Sequence, residues 1–248
     1  MGIIIEDNSI ADIVKYQPMR CDTHFKHNII LAGNFFSNPD IEWVSLGSIL
    51  SNVRNGMNVN TEYYSMEETD YHYISVSQIK EYGLSDKNQN FLNESVTELS
   101  SYFELKENTL LITRSGTIGV AISTDHPSFD LDEKHYIASG FVITADLKKG
   151  FSSRTIANYI NMFPVQRYLI AMSAGACQKN ISQPVIANLP IPSILLTKGN
   201  VCEKIFDEYE KESSSILKAI SLNEKKLEKL KEDISSRIIS QLITSYST

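Results

Sequence analysis

The sequence predicts an α+β fold: a mixed α/β globular domain followed by one long C-terminal helix. Three observations carry this. Aromatic and β-branched runs at residues 71–76, 109–113 and 136–144 are punctuated by polar stretches and glycines, as strands are. After Ser152 these runs give way to apolar residues at helical spacing behind capping serines and prolines. From Val201 onward, apolar residues recur at heptad spacing among lysines and glutamates.

Residues 1–42 read as an N-terminal extension packed on the body or leading into it. Residues 10–16 suit a helical turn or two, residues 20–27 are polar and basic, and residues 34–39 read as a loop, so little regular structure is expected before Trp43. The body spans residues 43–198. Ser45 is placed to cap a short helix with Leu46, Ile49 and Leu50 on one side. Asn55-Gly56, after Arg54, marks a turn. Residues 71–76 form a strand, and residues 76–79 a short helix that leads into a turn at Tyr82-Gly83-Leu84. Residues 95–102 suit another short helix. The apolar run at 109–113 is a buried strand that enters the loop Arg114-Ser115-Gly116-Thr117-Ile118-Gly119 and leaves through residues 120–123 as the second arm of a hairpin. Residues 136–144 give one long strand, broken at Gly140.

Ser152 or Ser153 caps a helix over residues 154–162, and Pro164 opens a second that ends near Gly175. Ser182 followed by Pro184 starts a third, with Val185, Ile186 and Leu189 on its apolar face. Pro190 ends it, and Pro190-Ile191-Pro192 is extended. Residues 199–248 are the long helix. Its heptad rows are Ser213, Ile220, Leu227, Ile234 and Ile216, Asn223, Leu230, Arg237. About three heptads on a single strand are marginal alone, so the helix calls for a partner.

At 248 residues with 42% hydrophobic and 21% charged, the chain has the composition of a soluble globular protein. No run approaches the roughly 18 apolar residues of a membrane span, and the N-terminus has acids where a secretory signal has basic residues, so the expected location is cytoplasmic, with no membrane partner. Cys21, Cys177 and Cys202 are widely spaced and read as small hydrophobes. The net charge of −7 is unevenly spread. Residues 1–146 carry 9 Lys/Arg against 21 Asp/Glu, whereas residues 147–202 carry Lys148, Lys149, Arg154, Arg167, Lys179 and Lys198 and no acid. This purely basic stretch is either an anion-binding face or the counterpart of acids brought to it by folding.

Several chemistries are excluded by their motifs. There is no phosphate-binding GxxxxGK[ST] loop, no GxSxG elbow and no HExxH zinc helix. His24 and His27 have helical spacing, but no cluster completes a metal site. Asp40 and Glu42 make a fragment of a metal-nuclease pattern, with Val44 where a lysine belongs. The chain reads as a binder without catalysis, metal or cofactor of its own. The residues suited to nucleic acid lie in two loops. Arg114 can fork onto a guanine edge or a phosphate, and Ser115, Gly116 and Thr117 supply hydroxyls and open backbone amides. Lys179 and Asn180 place a cation and an amide beside small residues. Arg54 and Asn58 form a third candidate group. The structural alternatives are a hairpin turn whose Arg114 pairs with a surface acid, and a helix C-terminus capped by Gly175 and Lys179.

Taken together and in order, Leu46-Gly47, Tyr73-Ile74, residues 111–119 (LITRSGTIG), residues 175–182 (GACQKNIS) and residues 189–192 (LPIP) resemble the DNA-specificity subunit of type I restriction-modification systems, in a form with a single target-recognition domain. The resemblance covers residues 43–240. It implies a non-catalytic subunit that grips double-stranded DNA and docks methyltransferase (modification) subunits, which carry the S-adenosylmethionine. Restriction subunits join in some such systems. Arg114 to Thr117 and Lys179-Asn180 fall on the family's motifs. The family's full subunit holds two recognition domains and two helices, whereas this sequence has one of each and no internal repeat. The resemblance therefore implies half a subunit, acting as a homodimer through Ile216, Ile220, Leu227, Leu230 and Ile234 or paired with a different half-subunit. A coiled-coil adaptor that binds only proteins, and a single-chain nuclease using Asp40 and Glu42, are the readings of other classes.

Overall fold

Strand and helix segregate along the chain much as the apolar periodicities do. The computed structural model describes residues 23–85, 89–96, 101–175, 179–197 and 201–246. The expectations for residues 10–16, Cys21, Cys177, Gln178 and Lys198, and for the His24 side chain, lie outside the described residues. The chain divides into two units, Met1–Glu203 and Lys204–Thr248.

The α+β class is what is observed. The first unit opens with a helix, α1 (Thr23–Phe36), where little regular structure was expected. Phe25, Ile29, Ala32 and Phe36 recur at helical spacing and are all buried. The stripe is hidden in the sequence because lysine, histidine and asparagine stand between its members. The obvious apolar triplet Ile29-Ile30-Leu31 misleads, since Ile30 and Leu31 are exposed. α1 packs on a later helix, α3 (Phe163–Met172).

Strand β1 (Trp43–Ser45) leads to a single 3-10 turn, Leu46–Ile49, that buries Leu46 and Ile49. The expected cap at Ser45 is there in position, but its side chain makes no capping bond. β2 (Leu50–Asn55) then runs through Arg54 and takes in Asn55, which the sequence placed in a turn. The expected turn at Asn55-Gly56 is not formed, for Met57 runs on to bridge Ser139. A Cβ on Gly56 would lie 2.2 Å from the Ala138 carbonyl oxygen, so it is close approach to a neighbouring strand that requires glycine there.

Two short strands follow, β3 (Tyr64–Ser65) and β4 (Tyr71–Ile74). In place of the helix expected over residues 76–79, residues 76–78 form a turn and Ile79 opens a small hairpin, β5 (Ile79–Lys80) with β6 (Gly83–Leu84). Gly83 has φ +136°, a conformation that a side chain resists, and this fixes the turn. β7 (Phe91–Leu92) precedes a 3-10 turn at Glu94–Val96. Residues 97–100 of the helix expected over 95–102 lie outside the described residues, and residues 101–103 form a turn.

β8 (Thr109–Thr113) is buried at every position and pairs antiparallel with β9 (Ala121–Ser123), as the hairpin reading required. The break at Gly140 does more than interrupt a strand. It sends β10 (His135–Ala138) and β11 (Val142–Leu147) into different sheets. β10 lies parallel to β4 in the mixed sheet β10-β4-β7-β3. β11 lies at the centre of the antiparallel sheet β2-β11-β8-β9, between β2 and β8. The two sheets share a core in which Ile74, Leu111, Ile122, Tyr136, Ala138 and Val142 are all buried. Each of the aliphatic side chains Ile74, Leu111, Ile122 and Val142 contributes about 1.5–3 kcal/mol on burial.

α2 (Ser153–Asn161) covers β9 and β8, and Ser152 caps it by accepting the Thr155 N–H. α3 opens with Pro164 in its first turn, and α4 (Gln183–Ala187) starts at Ser182, both as the sequence indicated. The Pro-Ile-Pro run is a buried strand, β12 (Pro190–Pro192), antiparallel to β1. The Tyr159 hydroxyl donates to the Pro190 carbonyl at 2.6 Å and so ties α2 to β12.

The second unit belongs to one helix of 46 residues, α5 (Val201–Tyr246). At about 1.5 Å per residue it is roughly 69 Å long. Ile216, Ile220, Leu227, Leu230 and Ile234 are all exposed on it.

Candidate nucleic-acid interface

The two loops singled out in the sequence meet. The chain leaves β8 at Thr113, and the Thr113 hydroxyl accepts the Val120 N–H at 3.0 Å, closing the base of the loop. Gly116 (φ +73°) and Gly119 (φ +78°) give it left-handed turns at both ends. Gly119 is also held by Gln166 of α3, whose side-chain amide donates to the Gly119 carbonyl at 2.7 Å. From the other side, Ala174 and residues 179–181 come up against it. Ala174 and Asn180 exchange backbone bonds at 2.9 and 2.7 Å, and the Ile181 N–H donates to the Arg114 carbonyl at 2.9 Å. Ser115 and Asn180 form an isolated β-bridge. Segments some 65 positions apart in sequence thus share one backbone ladder.

This geometry divides the predicted residues. Ser115 is only 3% exposed and serves the joint itself. Gly116 and Thr117 are exposed on the loop tip, and Lys179 and Asn180 are half-buried beside it. A Cβ on Gly116 would meet nothing closer than the Val76 side chain at 3.8 Å, so the tip is open. Arg114 is half-buried, and its guanidinium forms no ion pair with any described carboxylate. Its Nε lies buried without a hydrogen-bond partner. The alternative of a turn arginine neutralised by a surface acid is not what is observed among the described residues.

Arg54 stands in contrast. It lies in β2, opposite Thr144, and its guanidinium donates to Asp146 at 2.8 Å, with the two side chains 12% and 28% exposed. Asn52 and Thr109 donate to the same carboxylate at 3.3 and 3.0 Å, and the Arg54 guanidinium lies over the Tyr102 ring. Arg54 therefore works inside the sheet. Asn58 is exposed and sits against Gly140, where a Cβ would come within 2.1 Å of its Oδ1. The Gly140 turn in turn meets the Arg114 loop, for the Arg114 N–H donates to the Phe141 carbonyl at 3.0 Å. Asn58, Arg114, Gly116, Thr117, Lys179 and Asn180 thus gather around one end of the antiparallel sheet.

The acid-free stretch does not form one basic face. β11 begins beside Thr113, at the Arg114 end, and runs away from it. Lys148 and Lys149 follow its far end, where the Lys148 ammonium donates to the Ser48 carbonyl. Arg167 donates to Asn28 of α1 and lies over the Phe163 ring. The charges that were contiguous in sequence are divided among separate structural tasks. Glu42 accepts from the Ser193 hydroxyl at 2.8 Å and belongs to the β1–β12 edge. Among the described residues, no group of three or more His, Cys, Asp or Glu side chains lies together as metal ligands would, and no helix is long and apolar enough to cross a membrane.

Sequence reasoning passed over Phe141. It is 57% exposed at the head of β11. The one available signal was an aromatic residue directly after a strand-breaking glycine.

No protein-family model matches the chain, and no curated protein matches it. Solved structures do. A chain from a study of assembly and conformational transition in the type I restriction-modification system is similar over 89% of this chain and 53% of its own, with a TM-score of 0.51 and 9% identity. The type IIG restriction endonuclease BpuSI is similar over 77% of this chain and 28% of its own, with a TM-score of 0.53 and 13% identity. The S subunit of the type I system of M. genitalium aligns over 76% of this chain and 44% of its own, with a TM-score of 0.47 and 18% identity. The likeness to the first two is one of fold. This chain spans about half the length of the type I chains it matches.

Proposed function

We propose that this chain is the DNA-recognition half of a type I specificity subunit. It has no catalysis of its own and directs methyltransferase subunits, which hold the S-adenosylmethionine, to a DNA target. Restriction subunits join the same assembly where the system has them. The observation that carries the reading is Arg114. A half-buried arginine without a described carboxylate partner, its Nε stranded, stands where two loops of small and hydroxyl-bearing residues converge. A buried Nε–H left without an acceptor is costly unless a phosphate or a base edge completes it. Thr117, Gly116, Lys179 and Asn180 surround it with donors suited to phosphate oxygens. The fold shared with restriction-system proteins is consistent with this use.

The exposed row Ile216, Ile220, Leu227, Leu230 and Ile234 supplies the second half of the reading. Two copies joined along antiparallel helices would carry two identical recognition domains, so the target would be symmetric and interrupted. Pairing with a different half-subunit would make it asymmetric.

The test is selection of duplexes from a random pool by the full-length chain, alone and with a methyltransferase subunit, followed by salt titration of the selected duplex. A selected sequence whose affinity falls steeply with salt is expected. Failure to enrich any sequence in either condition would refute DNA recognition and leave the protein-binding adaptor. A monomeric mass at micromolar concentration with the methyltransferase present would refute the homodimer.

A further inference from the structure

Phe141 stands out among the exposed apolar side chains of the body because of what surrounds it. The pairing of β11 with β8 ends at Val142 and Thr113, and just beyond it the Arg114 N–H donates to the Phe141 carbonyl at 3.0 Å. That bond sets the Phe141 turn beside the Arg114 loop at the same end of the sheet.

The turn that presents the ring is held from several sides. The Val142 N–H donates to Ser139 at 2.8 Å, the Gly56 N–H to Val142 at 2.9 Å and the Met57 N–H to Ala138 at 2.8 Å, while Asn58 fills the space over Gly140. The ring is more than half exposed, at 57%, and Asn58, Arg114, Gly116 and Thr117 at the same end of the sheet are not apolar. A protein-docking patch would put further apolar side chains around it; a groove-reading surface puts donors and a cation there.

We infer that Phe141 is a specificity-determining residue that seats its ring against a thymine methyl in the major groove, beside the base edge or phosphate held by Arg114. This rests on the DNA-recognition reading above and names one of its base contacts. Apolar contact with the thymine methyl is one of the few ways a phenylalanine can read a duplex from the major groove.

The test uses the full-length chain and its selected duplex. Each thymine is replaced singly by deoxyuridine, which removes the methyl and leaves base pairing intact. For the wild-type protein one replacement is expected to weaken binding about fourfold, the effect of losing one buried methyl. For Phe141→Ala the same replacement is expected to change nothing, with selectivity at that base pair relaxed and the melting temperature held. Equal losses in both proteins, or no loss at any thymine, would overturn the inference while DNA recognition stands. Brightening of 2-aminopurine beside the site, lost in Phe141→Ala, would also overturn it, because the ring would then be inserting between bases. A wild-type chain that selects no sequence refutes the recognition reading itself and the inference with it.

Discussion

Two arginines, one in the antiparallel sheet and one in the loop that leaves it, should respond in opposite ways to the same substitution. Methionine keeps most of the aliphatic stem and removes the charge. In Arg54→Met the bond removed is the 2.8 Å contact to Asp146, leaving that carboxylate with Asn52 and Thr109. A hydrogen bond to a charged group contributes about 1.5–3 kcal/mol. At about 2–4 °C per kcal/mol for a domain of this size, the melting temperature falls by roughly 3–12 °C. Arg114→Met breaks no ion pair to a described residue and removes a buried Nε that has no partner. An unsatisfied buried donor costs about 1–3 kcal/mol, and relief of that cost offsets the packing given up by the shorter side chain, so the melting temperature stays within about 4 °C of wild type. DNA binding reverses the order. Losing an arginine contact to a base costs about 1–3 kcal/mol, or roughly 5- to 150-fold in affinity. If Arg114 holds a phosphate instead, affinity falls for all sequences and the salt slope drops by about one. The assays are scanning calorimetry and fluorescence anisotropy with a selected duplex at two salt concentrations. The reasoning is refuted if Arg114→Met loses stability on the scale of Arg54→Met and binds DNA as wild type does.

Gly56→Ala should destabilise the body by roughly 3 kcal/mol or more, because its Cβ meets the backbone oxygens of Ala138 and Ser139 at 2.2 and 2.4 Å; thermal unfolding or loss of soluble protein reads this out. Tyr159→Phe should cost about 1–3 kcal/mol, since it strands the Pro190 carbonyl, and denaturant titration measures it. His72 is held below its ordinary value of 6.5 by burial first and by Lys134 second. The unfolded chain then binds the proton more readily, so stability is fully present above pH 6.5 and declines as pH falls from there toward the folded value. In His72→Phe that slope should vanish from urea midpoints measured across pH 5–7.5, and an unchanged slope would place its origin elsewhere. Ile220→Asp with Leu227→Asp should yield a monomer by light scattering and leave the melting of the body unchanged, if the exposed row joins two copies.

Local signals were enough for the elements whose stability is local. Ser152, Pro164 and Pro184 mark three helix starts because a cap or a fixed proline φ acts within one turn. The β8–β9 hairpin and the long heptad helix were legible for the same reason. α1 was missed because its stripe is interrupted by polar residues whose exposure only packing on α3 decides. The β5–β6 hairpin was missed because two-residue strands carry almost no periodicity.

Residue order and composition were sufficient for the fold class, the order of the main elements, and the residue types of the candidate interface. They also supplied a set of short motifs whose order resembled one family. They did not disclose that these motifs are one another's partners. The Leu46 N–H donates to Leu189, and β1 pairs with β12, so the first motif holds the last. Ile181 donates to Arg114, so the loop at 114–119 holds the segment at 179–181. Backbone hydrogen bonds carry no side-chain signature, and a pairing across such distances leaves no trace in local composition. The same limit governed charge. Folding committed Arg54 to Asp146, set Arg167 on Asn28, carried Lys148 to the far end of β11, and left Arg114 without a described carboxylate. Which cations remain available is decided by which acids folding brings within reach, and that is a property of contacts between segments remote in the chain.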